Sequence, residues 1–143
     1  MISDWLEHNQ QEIQKGKIRV FSLDECHVCA GDICGYGWGD CKERREVDLD
    51  NYRDSQTYYG ALDCVSGEVI LSAYKTANSS STIDFIKHLQ RRSEGAQIVL
   101  VWDGASYHRS QEFRNFLAQV NTDQQWNVHC LRFAQARTII KSN

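Results

Sequence analysis

The sequence predicts an α/β domain, a mixed β-sheet flanked by helices. Three observations carry that prediction. Two apolar runs, KIRVFSLDECHV at 17–28 and QIVLVW at 97–102, have the composition of buried strands. The stretch QTYYGALDCVSGEVILSAYK reads as a hairpin. Two segments with helical spacing of apolar residues, 80–92 and 110–120, alternate with the later strands. A strand, a helix and a strand in that order make a βαβ-type connection, and hence a layered α/β architecture.

Each element follows from its residues. Residues 2–14 predict a helix, with Ile2, Trp5, Leu6 and Ile13 near one face. In 17–28, Val20, Phe21 and Leu23 fall on both faces, which fits a central strand covered on both sides. Residues 30–40 hold four glycines and read as a loop or a bulged strand; 42–54 are charged and expected on the surface. Strands 56–64 and 68–74 meet across Val65, Ser66 and Gly67, with Asp63 as a turn former. Asn78 to Ser81 offer caps for helix 80–92, whose stripe is Ile83, Phe85, Ile86 and Leu89. Arg91 and Arg92 suit its C-terminal dipole and Gly95 ends it. Ser110 caps the next helix, with Phe113, Phe116, Leu117 and Val120 inward. Residues 126–133 make a last short strand.

The totals exclude several classes. A chain of 143 residues can bury about 70% of its unfolded surface in one core. A net charge of −3 does not mark a nucleic-acid binder as a whole, although a local basic patch is compatible with it. No run approaches the roughly 20 apolar residues of a membrane span. The first residues hold no signal-peptide core, so a cytoplasmic location and six reduced cysteines are expected. Proline is absent, where average usage of ~5% would supply about seven.

Asp24 and Asp103 both close buried strands. Ligand sites gather at such strand ends. On parallel neighbouring strands, axes about 4.8 Å apart, the two carboxylates meet. At about 5 Å they repel by roughly 3 kcal/mol at an effective dielectric near 20, which a shared proton or a divalent cation offsets. Hard oxygen donors suit Mg²⁺ or Mn²⁺. The alternative for each aspartate is turn or cap chemistry. Glu25 points to the opposite face from Asp24, with a rim salt bridge as its alternative.

FSLDECH around Asp24, QTYYGALDCVSGEVIL, and WDGASYHRSQEFRNFL around Asp103 together resemble the catalytic domain of mariner-superfamily transposases of bacterial insertion sequences. The resemblance spans about residues 18–133. It implies a ribonuclease-H-like fold and a DDE endonuclease that cuts transposon ends and joins them to target DNA with two Mg²⁺ or Mn²⁺ ions. It implies Asp24 and Asp103 as catalytic metal ligands on adjacent parallel strands. His108 falls in the family's Asp-x-x-x-x-His stretch, where a DNA or site-rim contact and a plain surface histidine are both open.

Two departures qualify the resemblance. The family continues from the last strand into a proline-rich stretch, a third acid and a long helix. This chain reads FAQARTIIKSN and has no acid after Asp123. The expected organisation is a linker helix at 1–16, an incomplete catalytic domain at 17–134 lacking the final helix, and an aberrant tail at 135–143, as from a frameshift or premature stop near Gln135. The family's helix-turn-helix domains also have no counterpart before the first strand. The expectation is weak or single-ion binding, an inactive chain on its own, and a partner in DNA, a second copy or a full-length transposase, with no membrane.

Cys26 and Cys29, followed by Cys34 and Cys41, raise the alternative of a zinc-stabilised binding module without catalysis, though a second close pair is missing. A regulatory fragment pairing with full-length transposase is a third reading. Lys42, Arg44 and Arg45 read as a solvated charged face; a DNA groove from Lys42, Arg44, Arg132 and Arg137 stays open. Tyr58, Tyr59 and Trp102 are expected in the core.

Overall fold

The computed structural model describes residues 2–29, 42, 54–103, 109–122 and 124–133. Along the chain come α1 (Ile2–His8), α2 (Gln10–Gln14), β1 (Ile18–Cys29), β2 (Ser55–Asp63), β3 (Val69–Tyr74), α3 (Ser79–Arg92), β4 (Gln97–Trp102), α4 (Gln111–Val120) and β5 (Val128–Arg132). The strands form one mixed sheet in the order β3-β2-β1-β4-β5. β1 is antiparallel to β2 and parallel to β4; β2 and β3 are antiparallel, and β4 and β5 parallel.

The central position of β1 explains its broken alternation. Ile18 and Val20 pack with Val99 and Val101 under Ile2, Trp5, Leu6 and Ile13 of the first two helices. Phe21 and Leu23 face the other way, into a larger core with Phe85, Ile86, Leu89, Phe113 and Phe116 of α3 and α4. Both faces are dry, so both parities are apolar.

The predicted helix over 2–14 is two helices that break at Asn9 and fold onto the sheet. The Asn9 side-chain amide donates to the Trp5 carbonyl at 2.8 Å, competing with the helical ladder. Asn78 caps α3 by accepting the Ser81 N–H at 2.8 Å, and Ser110 caps α4 by accepting the Phe113 N–H at 3.1 Å. The Ser79 hydroxyl donates to that of Ser110 at 2.8 Å and ties the two helix starts together. β5 begins later than predicted because the Asn121 side-chain amide oxygen accepts the Asn127 and Val128 N–H groups at 2.7 and 3.0 Å.

Tyr59 and Trp102 lie in the core as expected, whereas Tyr58 is 39% exposed. Tyr58 sits opposite Cys26 and its parity turns it away from Tyr59. On that face Leu62 and Leu71 are exposed too, so the first two helices leave the β2–β3 half uncovered.

Asp63 forms the expected turn and does more. One carboxylate oxygen accepts the Val65 and Ser66 N–H groups at 2.9 and 3.0 Å. The other accepts Arg19 Nε at 2.8 Å. Arg19 also donates to Glu68 at 2.9 Å and to the Arg92 carbonyl at 3.2 Å, and Arg92 pairs with Glu68. This network joins β1, the hairpin turn and the end of α3, and so fixes the register of β1.

Candidate active site

Asp24 does not close its strand as expected: β1 runs on to Cys29 because β2 stays paired with it, whereas Asp103 directly follows the last residue of β4. The β1–β4 ladder runs from Ile18 opposite Gln97 to Ser22 opposite Val101 and stops two positions before each aspartate. Asp24 shares a face with Val20, as Asp103 does with Val99 and Val101, on the side packed against α1 and α2. Both aspartates are exposed.

Asp24 lies opposite Gly60 on β2. A side-chain carbon at Gly60 would come 3.1 Å from a Leu71 methyl, so glycine keeps the neighbouring position low. One Asp24 carboxylate oxygen accepts the Glu25 N–H at 2.9 Å. No ion pair with Asp24 forms among the described residues.

Glu25 lies opposite Tyr59, on the other face of β1, and is half-buried. Burial raises its pKa above the usual glutamate value, and the charges of Asp103 and then Asp24 raise it further, against a smaller opposing effect of His27. The carboxylate of Asp103 is therefore felt at Glu25 across the strand pair. Sequence reasoning missed this coupling, because strand parity alone separates Glu25 from the pair.

The donor set consists of hard carboxylate oxygens, which fits Mg²⁺ or Mn²⁺ better than a soft metal. Among the described residues no group of three or more His, Cys, Asp or Glu side chains is arranged to hold a metal ion. The fit is to a pair of ligands for one ion.

The other candidates separate. Cys26 lies opposite Tyr58 and Cys29 opposite Ser55, both within extended β1. Three residues along a strand they are about 10 Å apart and on opposite faces, unlike the two sulfurs of a zinc knuckle. Cys34, Cys41, His108, Arg44, Arg45 and Arg137 lie outside the described residues. Arg132 ends β5, and Arg109 and Arg114, which sequence reasoning passed over, line a cavity with it. Nothing in the spacing of these three arginines announces that meeting; it depends on the pairing of β4 with β5.

A mixed five-stranded sheet in this order with helices on both faces is a ribonuclease-H-like fold. A family model for DDE superfamily endonucleases matches residues 19–131, and the chain belongs to that family. Solved structures share the fold. The chain is similar to Mos1 transposase in its paired-end complex with the left transposon end, at 14% identity and a TM-score of 0.57 over 93% of this chain and 40% of that one. It is similar to the Mos1 strand transfer complex at 14% identity and a TM-score of 0.56, over 92% and 39%. Against the simian T-cell lymphotropic virus intasome in complex with the PP2A regulatory subunit B56 gamma the identity is 15% and the TM-score 0.55, over 81% and 32%. The chain thus spans 40% or less of those chains. No curated protein sequence matches it.

Proposed function

We propose that this chain is the catalytic core of a DNA transposase, of the mariner type found in bacterial insertion sequences, and that Asp24 and Asp103 are its metal ligands. The observation that supports the reading is the parallel β1–β4 register, which ends at Ser22 and Val101, two positions before each of two acids 79 positions apart in sequence. The substrate class is DNA at a transposon end and at a target, and the cytoplasm is the compartment in which it acts. No helix among the described residues is long and apolar enough to cross a membrane.

In this reading the two carboxylates hold a divalent ion at the open end of the sheet. A bound ion of this kind supplies Lewis acidity that activates an attacking water or 3′-hydroxyl and steadies a departing oxygen. The chain's own contribution is placement. The parallel ladder ends just before Asp24 and Asp103, the Glu25 N–H orients one Asp24 oxygen, and Gly60 leaves the flank of Asp24 low. Burial first, and then the charges of Asp103 and Asp24, raise the pKa of Glu25, and a cation held by the two aspartates would offset that repulsion. Two acidic ligands support weak, single-ion binding.

Calorimetric titration with Mn²⁺ tests this. The wild-type chain is expected to bind one ion, and Asp24→Asn and Asp103→Asn each to weaken binding at least about tenfold, as loss of one of two charged ligands should. Unchanged Mn²⁺ affinity in both variants overturns the assignment.

A further inference from the structure

A second feature lies on the α4 side of the sheet. A cavity of about 500 Å³ opens between α4 and the β4–β5 edge. Three arginines from separate elements line it: Arg109 in the turn before α4, Arg114 on α4 and Arg132 at the end of β5. Its floor is Trp102, Phe113 and Cys130, with the two aromatic rings 5.4 Å apart.

Among the described residues these arginines have no acidic partner, unlike two others. Arg19 and Arg92 are neutralised by Asp63 and Glu68. Arg109, Arg114 and Arg132 are exposed and form no ion pair among the described residues, and Glu112, the acid nearest on α4, pairs with none of them. Three guanidinium groups around one concavity repel one another unless an anion lies between them. Guanidinium groups bind phosphate oxygens through paired N–H donors. Arg132 is the ladder partner of Trp102, so the cavity lies at the end of the β4–β5 pair, on the opposite face of the sheet from Val20 and Val101.

We propose that this cavity is a nucleic-acid backbone site, in which Arg109, Arg114 and Arg132 take phosphodiester groups of the DNA strand that runs to Asp24 and Asp103. The identity of the polymer rests on the transposase reading; the anion site rests on the arginines. A net charge of −3 for the whole chain is no obstacle, since three arginines meet at one cavity.

The test is fluorescence anisotropy with a short labelled DNA duplex, in EDTA, across a salt series. Each of Arg109→Gln, Arg114→Gln and Arg132→Gln is expected to lower the salt slope by about one, and the triple variant to bind at least about tenfold more weakly. Lys15→Gln, at the far end of the sheet, should leave the slope unchanged. Circular dichroism checks that the variants fold, and the single exposed substitutions stand if the triple one does not. A wild-type chain that fails to bind the duplex, single variants with unchanged slope, or tighter binding of a polyglutamate peptide than of DNA overturns the proposal. Because EDTA removes metal, the result is independent of the Mn²⁺ titration: arginine-dependent DNA binding without aspartate-dependent Mn²⁺ binding sinks the catalytic reading alone, and the reverse sinks the cavity alone.

Discussion

Replacing Asp63 probes the device that holds β1 in register. The Asp63 side chain is 4% exposed and that of Arg19 is 19% exposed, so their contact is shielded from water. Breaking a buried pair by removing one partner costs about 3–5 kcal/mol. Arg19 keeps Glu68, which places the expected cost of Asp63→Ala near the low end, about 3 kcal/mol. Asp63→Asn retains an oxygen for the Val65 and Ser66 N–H groups and loses mainly the charge, at about 1–2 kcal/mol. Burial works against the charged form of Asp63, but the Ser66 and Val65 N–H groups and the Arg19 guanidinium outweigh it and hold its pKa below the usual aspartate value. A depressed folded pKa means that the stabilisation is present above the unfolded pKa and fades as pH falls through the folded one. Urea unfolding followed by tryptophan fluorescence should therefore show the Asn penalty in full at pH 7 and a narrowing gap below about pH 4. A penalty under about 0.5 kcal/mol at pH 7, or a gap that widens in acid, refutes the reasoning. The site is affected as well, because a one-residue slip of β1 would turn Asp24 to the opposite face.

Other consequences follow from single contacts. Ser110→Ala removes the cap of α4 and should cost about 1 kcal/mol in urea unfolding; no loss would show that the 3.1 Å contact contributes nothing. Burial pushes the Cys130 thiol up to about 12 despite nearby Arg132, so iodoacetamide at mildly alkaline pH should label exposed Cys26, Cys29 and Cys64 and spare Cys130 in the native protein. Comparable labelling of Cys130 contradicts its placement. Glu25 has a raised pKa, so its charge destabilises the metal-free fold at neutral pH. Glu25→Gln should stabilise the protein in EDTA at pH 7, with the gain vanishing in acid below the usual glutamate range; a less stable variant would mean that the glutamate has a favourable partner.

Much of the fold could be read from pattern because its strands obey burial rules. Val20, Phe21 and Leu23 on both parities announced a central strand, and β1 is central. The hairpin followed from Ser66 and Gly67 between β-branched runs, and Asp63 from turn chemistry. Its bond to Arg19, 44 residues away, could not be read, since no local rule links the two. Asn9 defeated the helix reading for a similar reason: its side chain competes with the ladder in a segment whose apolar spacing stays helical. Tyr58 was misplaced because its hydrophobicity says nothing of where the covering helices stop. The parallel pairing of β1 with β4 was legible from the two apolar runs, but Asp24 does not end its strand, because β2 keeps β1 paired as far as Cys29.

Fe²⁺ bound in place of Mg²⁺, with ascorbate and peroxide, generates radicals that cut the backbone near the metal, and mass spectrometry of the fragments locates it. The account predicts cuts in two segments, around residue 24 and around residue 103, both suppressed by excess Mg²⁺ and both lost in Asp24→Asn. Cuts at only one of the two segments, or elsewhere in the chain, would contradict the claim that these two segments share an ion.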